Sequence, residues 1–271
     1  MNGASREALA AARERLDALT DNTSVDAAKL ADELAAVTAL LDREVSLRRV
    51  LTDPAQAGEA KAELAQRLLG GQVGGETADL LSGMVRSRWS QSRDLVDALE
   101  ELAGTADLTA AQRAGALDDV EDELFRFGRI VSSSTELRAA LTNRAATASA
   151  KSELLRSLLG GRAKTTTERL VTRLVTAPRG RSLESGLESL SKLAAERRDR
   201  MVAIVTSAVP LSDVQKQRLG AALAKLYGRS MHLNLDVDPE VVGGIRVQVG
   251  DEVINGSLAD RIEDAGRRLA S

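Results

Sequence analysis

The most constraining feature of this chain is an internal repeat with a spacing of 90 residues. When residues 47–71 are placed on residues 137–161, 13 of the 25 positions are identical. The matches include a Lys-x-Glu-Leu motif and a Leu-Leu-Gly-Gly run, and a shared bias toward Ala and Leu does not reproduce both at one offset. A repeat of this length indicates two copies of one supersecondary unit. We therefore predict two related bundles, over roughly residues 26–103 and 116–194.

The repeated region has the composition and the periodicity of helices. Only four aromatic residues occur in the chain, so the core must consist of Leu, Ala and Val, and Leu and Ala favour helix. Leu9, Ala12 and Leu16 share one helical face, and Leu30, Leu34, Val37 and Leu41 share another. The predicted helix starts are Ser5, Ser24, Asp53-Pro54 and the capping box Thr109-x-x-Gln112, which opens a long helix reaching about Val131.

The pattern changes after Arg200, where β-branched and alternating apolar residues predict a small α+β module. Strands are predicted at 201–206, 231–237, 245–249 and 253–254, with a helix that Ser212 caps between the first two. Gly250-Asp251 fits a two-residue hairpin, and Ser257 caps a final helix. The predicted fold class is mostly α: a duplicated N-terminal helical bundle followed by a small C-terminal α+β module. The predicted domains are 1–105, 106–198 and 199–271.

Charge and composition exclude several classes of protein. The chain has 37 basic and 40 acidic residues, a net charge of −3, whereas nucleic-acid binders carry a basic excess. It has no cysteine and so no disulfide framework or thiolate metal site. No apolar run long enough to span a bilayer and no signal peptide is found, so the cytoplasm is the expected compartment.

Residues that could carry chemistry have simpler explanations. The loop Gly160–Thr165 lacks the glycine spacing of a phosphate-binding loop. His232 is the only histidine, so no histidine-based metal cluster or catalytic triad can form. The acidic residues near the C-terminus do not have the spacing of a calcium loop. We therefore predict no catalytic, cofactor-binding or metal site, and no cofactor.

Trp89 is the sole tryptophan and follows Arg88. Tryptophan and arginine are frequent at the energetic centres of interfaces, but one large core residue in an aromatic-poor bundle is an equally good explanation.

Two C-terminal stretches carry a family resemblance. Residues 202–212 and 237–257 resemble the signature of the delta subunit of the rotary (F-type) ATP synthase, which is related to the oligomycin-sensitivity-conferring protein. Asn255 departs from the family, which more often has Asp there. The residues that carry the signature are Pro210, Gly243, Gly244, Gly250, Asp251, Gly256 and Ser257.

The resemblance implies a non-catalytic stator subunit in the peripheral stalk of the proton-translocating ATP synthase. Its implied partners are the N-terminal tails of the alpha subunits and the membrane-anchored b subunits, with no nucleic acid and no direct membrane insertion. It implies a peripheral membrane protein on the cytoplasmic face of the cell membrane. The alpha tail would lie between the first and fifth helices, although core packing explains the same residues equally well. The candidate tail-binding residues are Leu9, Ala12, Leu16, Leu81, Met84, Val85 and Trp89.

Some alternatives stay open at this point. The duplicated bundle departs from the single bundle of the family and leaves open which copy binds the alpha tails. A free-standing helical scaffold for other proteins is the alternative function, and an enzyme with an unrecognised site is a third.

Overall fold

The structure is a computed structural model that describes residues 1–22, 24–199, 201–227, 231–238, 241, 244–249 and 252–255. The chain forms two compact units, Met1–Arg197 and Arg198–Ser271. The fold class is confirmed, since helices dominate the described residues and a small mixed sheet lies near the C-terminus.

The described part of the first unit consists of eleven helices. They are α1 (Gly3–Asp21), α2 (Ala27–Arg43), α3 (Val45–Thr52), α4 (Gly58–Leu69), α5 (Gly75–Arg86), α6 (Ser92–Arg113), α7 (Leu117–Ser133), α8 (Thr135–Thr142), α9 (Ala148–Leu159), α10 (Thr165–Thr176) and α11 (Leu183–Asp199). Helices α2 to α5 and α7 to α10 have the same lengths and are displaced by 90 residues at both ends. The sequence repeat is therefore also a structural repeat.

Helix α6 joins the two copies. Its residues from Leu95 to Ala106 pack into the first apolar core, and Leu108 and Ala111 pack into the second. It precedes α7 in the chain as α1 precedes α2, and it packs beside α10 as α1 packs beside α5. The domain boundary predicted between residues 105 and 106 lies inside this helix.

Two predicted helix starts near the N-terminus are wrong. Helix α1 begins at Gly3, and Ser5 instead donates its hydroxyl to Asp94 on α6 at 2.7 Å. Helix α2 is capped by Asp26 and not by Ser24, because the Asp26 carboxylate accepts from two backbone N–H groups of the first turn.

Two further predicted starts are also wrong. Asp53 closes a turn, its Oδ1 accepting from the backbone N–H of Ala55 at 2.9 Å, and α4 begins later, at Gly58. Thr109 lies inside α6, where its hydroxyl donates to the Thr105 carbonyl at 2.8 Å. The long helix predicted from Thr109 is interrupted at Gly115, whose φ of 66° ends α6 and allows α7 to start in a new direction.

The second unit is built on a four-stranded sheet. The elements in its described residues are β1 (Met201–Ser207), α12 (Asp213–Tyr227), β2 (Met231–Val237), β3 (Ile245–Val249) and β4 (Glu252–Asn255). The strand order is β2-β1-β3-β4, with β1 and β2 parallel and the other pairs antiparallel.

The core of the second unit lies between this sheet and α12. Val205 on β1 pairs with Val247 on β3, the other inner strand, and both pack with Leu223 of the helix. The predicted Ser212 cap is present, since the Ser212 hydroxyl accepts from the backbone N–H of Gln215 at 3.4 Å. The Ser212 N–H donates in return to the Gln215 side chain at 2.9 Å. The predicted Gly250-Asp251 hairpin turn and the helix from Ser257 lie outside the described residues.

Candidate functional site

The residues predicted to bind a partner tail all lie inside the first bundle. They are buried side chains of its apolar core, on α1, on α5 and just after α5: Leu9, Ala12, Leu16, Leu81, Met84, Val85 and Trp89. In the isolated chain they hold α1 against its neighbours, and a role in partner binding stays a prediction. Trp89 is buried and its indole Nε1–H donates to the Met84 carbonyl at 2.8 Å, which accounts for it as a core residue.

The surface above these residues is the α1–α5 face. Arg15 on α1 and Asp79 on α5 form a two-pronged ion pair across it, with nitrogen–oxygen distances of 2.8 and 2.5 Å. The hydrogen bond that Arg15 donates to the Asp79 carboxylate raises the pKa of Arg15. The pair is half-exposed, with side-chain exposures of 51% and 43%. Gly83 lies next to it and leaves space between the helices, since an added Cβ would meet only the Arg15 side chain at 3.6 Å.

The corresponding face of the second bundle contains an ionic cluster that crosses between the bundles. Arg169 on α10 donates to both carboxylate oxygens of Asp32 on α2, at 3.1 and 2.8 Å. Arg173 donates to the same carboxylate at 2.8 Å. Both arginines also pair with Asp107 on α6, whose side chain is only 2% exposed. Burial raises the pKa of Asp107, and the two arginines act in the opposite direction.

A cleft of about 660 Å³ lies within the first unit, among α2, α6, α10 and α11. Arg179 lies at its edge, paired with Glu100 and Asp97 of α6. The φ of Arg179 is 49°, which is strained for a residue other than glycine. Burial raises the pKa of Asp97, against the opposing effect of Arg179. Arginine–carboxylate pairs therefore join α6 to the loop that precedes α11.

A carboxylate cap at the start of a helix is repeated in both copies. Glu33 Oε2 accepts from the Gly74 N–H at 2.9 Å and from the Thr77 hydroxyl at 2.5 Å. Glu123, 90 residues later, accepts from the backbone N–H of Lys164 and from the Thr167 hydroxyl at the same two distances. Each carboxylate therefore caps the N-terminus of the fifth helix of its bundle, where partial positive charge and free N–H groups favour an anion.

Sequence reasoning missed these caps and the ionic cluster. Glu33 and Thr77 are identical to Glu123 and Thr167 at the repeat offset, and this identity was the available signal. For the ionic cluster, the available signal was a difference between the two copies and not an identity. Arg169 and Arg173 correspond to Asp79 and Gly83, so the repeat breaks where the two bundles meet.

The other sequence candidates are in ordinary places. The glycine-rich loop after α9 is a helix end in which Gly161 has a φ of 71°, and the N–H groups of Arg162 and Ala163 both bond to the Leu159 carbonyl. His232 lies on β2, paired in register with Val202. Over the described ranges, no group of three His, Cys, Asp or Glu side chains could hold a metal ion. None of the helices in the described part of the chain is both long and apolar enough to cross a bilayer.

Only part of the C-terminal signature falls on described residues. Pro210 is exposed and lies between β1 and α12. Gly244 precedes β3 with a φ of 94°, a conformation that side chains with a Cβ rarely adopt. Gly243, Gly250, Asp251, Gly256 and Ser257 lie outside the described residues.

Comparison with known proteins covers both units. The family model described as "ATP synthase delta (OSCP) subunit" matches residues 104–269. The ATP synthase subunit delta of Streptomyces coelicolor is 85% identical over 271 residues, which cover 100% of this chain and 99% of that protein. The ATP synthase subunit delta of Thermobifida fusca is 50% identical over 270 residues, which cover 100% of each chain.

A solved structure, the mitochondrial ATP synthase hexamer of Toxoplasma gondii, contains a chain with 21% identity that covers 62% of this chain and 95% of its own. The TM-score of 0.27 is too low for this likeness to carry an argument about structure. The family match spans more than half of the chain, and the relatives align along its whole length. This chain therefore belongs to the ATP synthase delta (OSCP) subunit family and is a peripheral-stalk component of the F-type ATP synthase.

Proposed function

We propose that this chain is a non-catalytic link that joins the alpha/beta catalytic head to the membrane-anchored b subunits. It would act at the cytoplasmic face of the cell membrane and hold the head still while the rotor turns. The observation that supports this proposal is the division of a delta-family chain into two compact units, because a link needs one binding unit for each partner.

The first unit is the proposed site for the N-terminal tails of the alpha subunits. Amphipathic helices bind in grooves between helices, where their apolar side chains reach the partner's core. The predicted groove residues are buried, so a tail helix would lie on the α1–α5 face above them. Arg15 and Asp79 on that face would offer one charge of each sign to the tail.

The second unit is the proposed site for the b subunits. Its sheet is held together by the Val205–Leu223–Val247 core, and Gly244 sets the direction in which the chain enters β3. Two separate partner sites on one chain act as tethers to each other, so the assembly stays bound although each single contact is reversible. This property suits a subunit under mechanical load.

The substitution Gly244→Val tests this division of labour. Valine strongly disfavours a φ of 94°, so the entry into β3 should be disrupted in the second unit only. We expect binding to a b-subunit fragment to fall at least tenfold, while binding to an alpha-tail peptide is unchanged. Separate pull-downs with the two baits measure both quantities.

The matched control is Gly128→Val on α7 of the first unit, where an added Cβ meets nothing within 4 Å. This variant should keep both partners. Unchanged b binding by Gly244→Val would contradict the assignment of b to the second unit. Loss of tail binding in the same variant would contradict the independence of the two sites.

A further inference from the structure

The two bundles of the first unit have separate apolar cores. Residues of α6 up to Ala106 pack into the first core, and Leu108 begins the second. The cleft of about 660 Å³ lies between α2 and α10, so apolar packing does not fill the space between the bundles there. The described contacts that join the bundles beside α6 are therefore mainly those of charged side chains.

The charges in these contacts are sorted between the two bundles. The carboxylates come from the first bundle and the first half of α6, whereas the arginines come from the second bundle and the loop before α11. Opposite charges sorted in this way draw the bundles together. We call this set of ion pairs the inter-bundle seam. Its pairs are Arg197 with Asp17, Arg169 and Arg173 with Asp32, Arg179 with Asp97 and Glu100, and Arg181 with Glu100.

The four seam arginines between residues 169 and 181 are not part of the repeated fold. The first copy forms the same helices without them, and none of its residues at the equivalent positions is basic. Those residues are Asp79, Gly83, Trp89 and Gln91. The arginines are therefore explained by the contact between the bundles and not by the folding of one bundle.

Helix α6 has the features of a bending point where it passes from one core to the other. Gly104 lies there, inside the helix. The hydroxyls of Thr105 and Thr109 donate back to carbonyls of the same helix, at 3.0 and 2.8 Å. Glycine and hydroxyls that bond back in this way are common causes of bends in helices.

The part of the seam between α2 and α10 is open to water. The Asp32 side chain is 61% exposed. Exposed ion pairs contribute little to stability and weaken with salt, because the Debye length falls from about 10 Å at 0.1 M to about 3 Å at 1 M. Asp107 lies beyond the bending point of α6, so Arg169 and Arg173 keep this buried counter-ion when Asp32 separates from them.

Two pairs of the seam are less exposed and differ from each other. Arg197 and Asp17 are both 11% exposed, so they keep the end of α11 attached to α1. Arg179 is 4% exposed, yet its Nε and Nη1 have no hydrogen-bond acceptor among the described residues, and its φ is 49°. Unpaired buried donors and a strained backbone both destabilise the closed arrangement. Separation of the bundles would hydrate this guanidinium and relax the backbone.

We propose that the second bundle swings about the middle of α6, and that the inter-bundle seam is an electrostatic latch that holds the two bundles together across the cleft. The closed form dominates at low salt. Salt shifts the chain toward an open form in which both bundles stay folded. This inference goes beyond the proposed function, since it concerns a motion within the first unit and requires no partner.

The test uses the full chain with one spin label on each bundle. Because the chain has no cysteine, Arg67→Cys on α4 and Ser157→Cys on α9 introduce the only labelling sites. Both positions are exposed, and they are equivalent in the repeat. Double electron–electron resonance measures the distance between the labels. Raising the salt concentration from about 0.02 M to about 0.5 M should increase the longer-distance population by about threefold or more.

A single substitution locates the latch. Asp32→Asn removes the exposed carboxylate of the seam and should give the high-salt distances already at low salt. The matched control is Asp122→Asn on α7, the equivalent residue of the second copy, which pairs with Arg126 of its own helix. The control should have the distances of the unsubstituted chain. Unchanged distances in Asp32→Asn, or longer distances in Asp122→Asn at low salt, would overturn the assignment.

Circular dichroism distinguishes opening from unfolding. The helical signal should stay constant over the same range of salt, because both bundles remain folded in the open form. A distance distribution that does not change with salt would overturn the proposed hinge. Longer distances accompanied by loss of the helical signal would show that the chain unfolds, and the inference would be wrong in that case too.

Discussion

At the scale of single residues, the same few side chains stabilise both copies. Glu33 and Glu123 each hold the first turn of a fifth helix through one backbone N–H and one threonine hydroxyl. Thr77 and Thr167 are fully buried, so the carboxylates satisfy groups that water cannot reach. Each carboxylate comes from another helix of the same bundle, so it joins two helices as well as capping the N-terminus of one of them.

Replacing either carboxylate should therefore destabilise the first unit. We expect Glu33→Ala and Glu123→Ala each to lower the free energy of unfolding by about 1–3 kcal/mol, because each leaves a buried hydroxyl and a helix N–H unpaired. Urea denaturation measures the effect. Glu7→Ala, on the exposed surface of α1, is the control and should change stability by less than about 0.5 kcal/mol.

A double-mutant cycle with Thr77→Val tests the cause. If Glu33 acts through Thr77, the combined loss should be smaller than the sum of the two single losses. Additive losses would contradict the contact as the source of the stability.

At the scale of elements, the second bundle depends on close approach of its last helix. Gly186 on α11 lies against Leu174 of α10, and an added Cβ would lie only 2.2 Å from that side chain. An added Cβ at Gly104 on α6 would similarly lie 3.2 Å from the Leu193 side chain of α11. Glycines at these crossings let α11 pack against two helices at once, although glycine is a poor helix former.

Two alanine substitutions should separate packing from helix propensity. Gly186→Ala should destabilise the chain by about 1–3 kcal/mol, because the buried Leu174 must move. Gly128→Ala on α7, where an added Cβ has open space, should stabilise it by about 0.5–1 kcal/mol. Thermal or urea denaturation of both variants measures the difference. Equal effects at the two positions would contradict the close α10–α11 contact.

At the scale of the whole molecule, α6 makes the two bundles one structural unit. Its first half is buried in one core and its last turns are buried in the other. The Asp32–Arg169–Arg173–Asp107 cluster adds a second connection between them. The sheet unit has its own core and is a separate compact unit.

A fragment of residues 1–197 should therefore unfold in one cooperative transition. Trp89, the only tryptophan, reports on the first bundle by fluorescence, and far-UV circular dichroism reports on all helices. The two urea curves should have the same midpoint. A fluorescence midpoint that differs from the dichroism midpoint would show that the bundles unfold independently, as the predicted boundary at residue 105 implies.

The sequence by itself determined the duplicated helical architecture, the α+β module and the family. It did so because apolar periodicity, repeat identity and turn glycines are local patterns that survive without knowledge of contacts. The helix starts at Ser5, Ser24, Asp53 and Thr109 were predicted wrongly, since a hydroxyl or carboxylate that can cap a helix can equally bond elsewhere.

Only the tertiary structure decided which helix faces are free. The two copies resemble each other in sequence, but the pairing of Asp32 with Arg169 and Arg173 joins residues 137 and 141 positions apart. Which side of a helix a neighbour covers depends on how the bundles pack. That packing is a property of the whole chain, which no pattern within a single helix encodes.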